Sequence, residues 1–189
     1  MPQMAPSQFR SRFSLNSRSL IISLLASVIL FSIPVCTALI HDIHRSYVTS
    51  PDADIVFMYE ALRLNSGLEQ TYFGHTGYML FVFLAGWLKL MGWLGVTSIS
   101  HMNDLWPLNH PTFEPKYAEL VYVGRYMIAV FTGLFAVTFF WGLKAVTKSA
   151  PIALLGGLIF AASKELSVAA LMMFTELPSG YFAFLSVIC

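Results

Sequence analysis

A chain of 189 residues that is 57% hydrophobic and only 11% charged falls well below the ~25% charge of an ordinary soluble domain, and its long apolar runs place it in the membrane class. Eleven Lys and Arg against ten Asp and Glu leave a net charge of +1, with no basic cluster, which argues against a nucleic-acid partner. Cys36 lies in an apolar run and Cys189 is the last residue; two such cysteines form neither a disulfide framework nor a metal site, and both read as small apolar fillers.

Residues 1–18 form a polar tail in which Arg10, Arg12 and Arg18 are unopposed by any acid. Ser19 to Ile40 then runs 22 residues without a charge, long enough to span a bilayer and longer than the apolar core of a cleavable signal peptide. An uncleaved first span over 19–40 is expected. The arginines before it place the N-terminus on the cytoplasmic side. Residues 41–119 are then an external loop, with eight acids against four Lys or Arg. Within it Tyr78 to Gly95 is apolar but carries Lys89, Trp87 and Trp93. A central Lys costs about 2.5–3.5 kcal/mol on insertion scales, and Trp favours the interface. The segment is therefore expected to lie in the interface or re-enter. A second span follows over 120–143, ending at Lys144 and Lys148, which this topology returns to the cytoplasmic side. A third is expected over 150–165, with Pro151 in its first turn, and a fourth over 168–189, interrupted by Glu176, Pro178 and Gly180. Lys164 and Glu165 mark the turn between them. The chain ends inside this apolar segment, so the N-terminal part of a longer protein is expected.

The acids cluster where the first span ends. Asp52 and Asp54 precede an amphipathic run whose apolar face holds Ile55, Met58, Tyr59 and Leu62 and whose polar positions are Glu60 and Arg63. Such a helix suits a membrane surface. A carboxylate there acts as a general base, binds a cation, or simply caps the helix. His75, flanked by Gly74 and Gly77, contacts a phosphate, carries a proton, or is only an interfacial side chain. Arg125 binds an anionic group or snorkels to the interface. Glu176, an acid in an apolar stretch, is a functional candidate by position, with a structural bridge to Lys164 or Arg125 as the rival. The pair in HDIH, His41 and His44, is weak as a metal site, and no metal is expected.

Taken in order, PDAD, EALRLNSG, YFGHTGY, VGRYMIAVFTGL and MFTELPSGYF resemble the N-terminal pattern of the GT-C superfamily of membrane glycosyltransferases, which includes protein O-mannosyltransferases and aminoarabinose transferases. The resemblance covers roughly residues 20–189. It departs from the family at Thr76, where many relatives have proline, and in having Asp-Ala-Asp where an Asp-Glu pair is usual. It implies transfer of a sugar from a polyprenyl- or dolichyl-phosphate donor at the external face. Asp54 or Asp52 would be the catalytic base, His75 and Arg125 would lie near the donor phosphate, and Glu176 near acceptor or sugar. The family is longer, with about a dozen spans, so this chain would be its N-terminal part, and sugar transfer is the expectation for the full-length protein. No cofactor is implied beyond the lipid-phosphate-linked sugar, and the partners are membrane lipid and that donor. The expectation is an all-α, multi-pass integral membrane protein of the plasma (inner) membrane rather than the endoplasmic reticulum, with about four spans and interfacial helices in a large first external loop. The alternative is a non-catalytic membrane scaffold or assembly partner.

Overall fold

The long apolar runs become the longest helices. A computed structural model describes residues 17–41, 43, 44, 46, 53–72, 78–105, 107, 110–171, 173 and 176–188. Among these, the regular elements are all helical: α1 (Ser17–Ile40), α2 (Ala53–Asn65), α3 (Tyr78–Trp93), a 3-10 turn (Met102–Asp104), α4 (Phe113–Thr147), α5 (Ala150–Ala161), α6 (Lys164–Ala169) and α7 (Glu176–Ile188). Two helices, α1 over Ser19–Ile40 and α4, are long and apolar enough to cross a membrane. Apolar helices α3 and α5 are shorter, at 16 and 12 residues.

The axis of the fold is α4, 35 residues and about 52 Å long. Helix α1 lies along it in the opposite direction. Near the start of α1, Ser23 and Ser27 accept hydrogen bonds from Lys144 Nζ at 2.6 Å and Trp141 Nε1 at 3.0 Å. Midway, Phe31 packs on Gly133, where an added Cβ would stand 2.8 Å from the Phe31 carbonyl oxygen. At the end of α1, Ala38 and, just past the helix, Ile43 cluster with Ala129. Rising numbers on one helix thus meet falling numbers on the other. The outer face of α1 stays bare, with Ile21, Ile22, Leu25 and Val28 each more than half exposed.

Helix α5 runs back along α4: Gly156 sits under Leu143, Gly157 under Leu30 and Phe140, and Phe160 stacks on Phe139 at 4.3 Å. Helix α6 continues towards the level of Arg125. Helix α7 then turns and follows α4 in the same direction, Tyr181 meeting Phe131 and Phe135 and Phe184 meeting Phe139.

At the other end, α2 and α3 form a layer over the first half of α4. The α3 face Leu80, Phe81, Leu84, Ala85 and Leu88 is buried, the spacing of an amphipathic helix. Trp87 Nε1 donates to the Val123 carbonyl at 2.8 Å, and Phe57 of α2 packs on Phe81. Both helices end on a glycine in the left-handed region, Gly67 (φ 67°) and Gly95 (φ 72°), where the next N–H reaches back into the helix, Leu68 N to Arg63 O and Val96 N to Met91 O. Asn65 Nδ2 donates to both Ala85 O and Ser100 O, joining α2, α3 and the loop that follows. In that loop burial raises the Asp104 carboxyl pKa, but the Ser100 and His101 N–H bonds and the nearby His101 outweigh it and hold it below its ordinary value.

Several boundaries differ from the sequence expectation. Helix α4 begins at Phe113, seven residues before the expected span, because Tyr117 and Glu119 have partners in the α2–α3 layer: Tyr117 Oη donates to Ile55 O, and Thr97 Oγ1 donates to Glu119. The segment expected as one helix over 150–165 stops at Ala161, where Ser163 N-caps a separate α6 by accepting from Leu166 N. Within 168–189 the described helices are the end of α6, through Ala169, and α7, Glu176–Ile188. On α2 the expected faces are partly exchanged. Glu60 is buried and Tyr59 is exposed, because Thr71 closes over the Glu60 carboxylate with both its N–H and its hydroxyl.

Candidate functional site

Asp54 stands in the first turn of α2, where the helix dipole favours an acid. Arg125 lies 71 residues later on α4, beside Gly124. The absence of a side chain at Gly124 admits the thioethers of Met58 and Met173. The two charges meet in a double contact: Arg125 Nε and Nη2 each lie 2.9 Å from Asp54 Oδ2. Nη1 donates to the Ile43 carbonyl at 3.0 Å, and Met173 N donates to Asp54 Oδ1 at 3.1 Å. The side chains are 0% and 2% exposed. One ion pair thus gathers four segments: the end of the α1 connection, the start of α2, the middle of α4 and the stretch after α6.

Two guanidinium N–H groups converge on one carboxylate oxygen, a charge-assisted contact in which the planar donor fork fixes orientation. Buried as it is, the pair is an organising element. Removing either member strands the other charge in an apolar surround. Both Asp54 oxygens accept hydrogen bonds, and the arginine faces inward rather than towards an open surface.

The structure brings together two of the five residues singled out from the sequence. Asp52 and His75 lie outside the described residues. Glu176 is exposed in the first turn of α7 and lines a groove of about 560 Å³ with Lys164, Glu165, Val168, Ala169 and Leu177. Among the described residues no ion pair joins Glu176 to Lys164 or to Arg125, so the structural bridge weighed from the sequence is not formed. One ammonium, two carboxylates and the apolar Val168, Ala169 and Leu177 line it. Sequence reading treated Lys164 and Glu165 as turn markers. The signal that would have found them is their position between two apolar stretches, where ionisable groups are costly and face a partner or a cavity.

A second groove, about 350 Å³, runs between α3 and α4 and is lined only by apolar side chains and Gly86, among them Phe83, Trp87, Met127 and Leu134. His44 Nε2 shares a hydrogen bond with Tyr126 Oη at 3.0 Å, and its ring stands edge-on to Tyr122. Among the described residues no three His, Cys, Asp or Glu side chains are grouped to hold a metal ion. No family model, no curated protein and no solved structure matches this chain.

Proposed function

We propose that this chain is a multi-pass membrane module that serves sugar transfer from a polyprenyl-phosphate donor, at the face where Asp54 and Arg125 meet. The membrane part of the reading draws on the antiparallel packing of α1 and α4. If both cross the bilayer, their opposed directions leave the segment between them on one face. That favours an interfacial rather than a singly spanning α3, which at 16 residues and about 24 Å also falls short of the ~30 Å hydrocarbon core. Arg125 and Lys144 stand about 28 Å apart along α4, one at each boundary. Helices α5 and α6 make the third crossing in two pieces, and α7 begins the fourth.

The observation that carries the transfer reading is the meeting of Asp54 and Arg125, picked out by the order of motifs and 71 residues apart in the chain. In the proposed reaction a carboxylate takes the acceptor hydroxyl proton as the oxygen attacks the anomeric carbon. The bond from that carbon to the phosphate oxygen breaks, and polyprenyl phosphate leaves. Asp54 is held by Arg125 and Met173, so it positions the start of α2 while Asp52, two residues earlier, takes the proton. Lys164 and Glu176 supply the groove for phosphate and sugar hydroxyls.

The full burial of the ion pair favours the rival reading, a non-catalytic scaffold. The two are separated by assaying sugar transfer from a polyprenyl-phosphate donor with the reconstituted full-length protein. Asp52→Asn is expected to slow transfer by about 10²–10⁴-fold with unchanged unfolding, whereas Asp54→Asn lowers both. Undiminished transfer in Asp52→Asn removes it as the base, and absence of transfer in the wild type leaves the scaffold.

A further inference from the structure

The end of the fold opposite the ion pair carries a second site. Lys144 Nζ donates to Ser23 Oγ at 2.6 Å and lies 4.5 Å from the centre of the Trp141 ring. Trp141 is itself fixed by its indole N–H on Ser27 Oγ, and Ser27 Oγ in turn donates to Ser23 O. Ser23 is fully buried. The ammonium is therefore held in place by two hydroxyl-bearing turns of α1 and an aromatic face, while no carboxylate of the described residues lies within ion-pair distance of it or of Lys148. Lys148, exposed one turn later, caps α4 in the left-handed conformation (φ 55°) with its N–H on Lys144 O. Arg18 belongs to the first turn of α1 at this same end. In a chain with 11% charged residues, two unneutralised lysines at one boundary leave a demand for negative charge. The same end of α1 carries its bare apolar face, with Ile21, Ile22, Leu24 and Leu25 exposed.

We propose that the Lys144–Trp141–Ser23 corner binds the phosphate of an anionic phospholipid in the leaflet facing the N-terminus, with the acyl chains against the exposed face of α1. The assignment rests on the membrane part of the reading above and not on sugar transfer. Lys144 meets the headgroup phosphate, Lys148 adds charge at the rim, and the Trp141 ring sits at headgroup depth, the interfacial position that Trp favours. Basic pockets between spanning helices on the cytoplasmic side have the electrostatics this requires. The long exposed hydrocarbon wall selects a lipid over a free phosphate.

The test uses the full chain in nanodiscs of phosphatidylcholine with a minor share of phosphatidylglycerol, followed by mass spectrometry of the lipids retained after gentle detergent extraction. The wild type is expected to retain phosphatidylglycerol in excess of its bulk share. Lys144→Gln reduces that excess roughly fivefold, as for one lysine at a charged surface, and Lys144→Arg restores most of it. Lys89→Gln, at an exposed position on α3, leaves the excess unchanged, and free inorganic phosphate at equal concentration does not displace the lipid. An unchanged excess in Lys144→Gln, an equal loss in Lys89→Gln, or displacement by inorganic phosphate overturns the assignment. Failure of the wild type to enter nanodiscs of phosphatidylcholine alone overturns the membrane reading itself, a distinct result.

Discussion

Replacing Arg125 by Met removes the guanidinium that fills the space between Asp54, Ile43 and Met173. Asp54 loses both contacts to Oδ2 and Ile43 O loses a donor. Stranding one charge of a buried pair costs about 3–5 kcal/mol. Asp54→Asn keeps the shape and one acceptor oxygen but leaves the guanidinium without its counter-charge, and is expected to cost a similar amount. The double replacement Asp54→Leu with Arg125→Met removes both charges together and fills the site with apolar volume. Such exchanges are often neutral or stabilising by about 1–4 kcal/mol, so it is expected to be far less destabilised than either single variant. Reversible denaturant titration in detergent micelles, read by the protection of α2 and of the segment around Met173, gives the three values and their coupling. Additive costs would refute the idea that one ion pair gathers the four segments, as would a cost under about 1 kcal/mol for Arg125→Met. The cycle measures fold stability alone and is independent of the sugar-transfer assay.

Two further outcomes follow from close contacts and from direction. Gly133→Ala is expected to cost more stability than Gly124→Ala: the new methyl would meet the Phe31 backbone oxygen at 2.8 Å in the first case, but only the ends of the Met58 and Met173 side chains at 2.4 and 2.6 Å in the second. Overpacking typically costs about 1–3 kcal/mol, and thermal unfolding of the two variants ranks them; the reverse order would show that the α1–α4 contact yields. With Cys36, which is exposed, and Cys189 both replaced by Ser, single cysteines at Ser98 and Ser149 should label differently with a membrane-impermeant thiol reagent applied from outside. Ser98 is expected to react and Ser149 to stay protected, and the opposite pattern would invert the topology.

Composition and periodicity determined the helical class, the two longest apolar helices and the short amphipathic pieces between them. These depend on local properties: a run without charge, glycines past helix ends, the spacing of apolar residues on α3. They also placed Asp54 and Arg125 among the residues to watch, because ionisable groups in an apolar chain are few and costly. What the sequence did not contain was the partner of each. That Arg125 turns inward to Asp54, that Met173 N closes on the same carboxylate, and that Glu60 is covered by Thr71 follow from how helices pack, and contacts across 71 or 119 residues leave no periodic trace. The groove shared by Lys164, Glu165 and Glu176 was likewise decided by how α6 meets α7, whereas the break after Ala161 rests on a local cap, Ser163. Local chemistry specifies which residues can carry charge, and only the antiparallel assembly of α1 with α4 decides which of those charges are buried together and which are left at the rim.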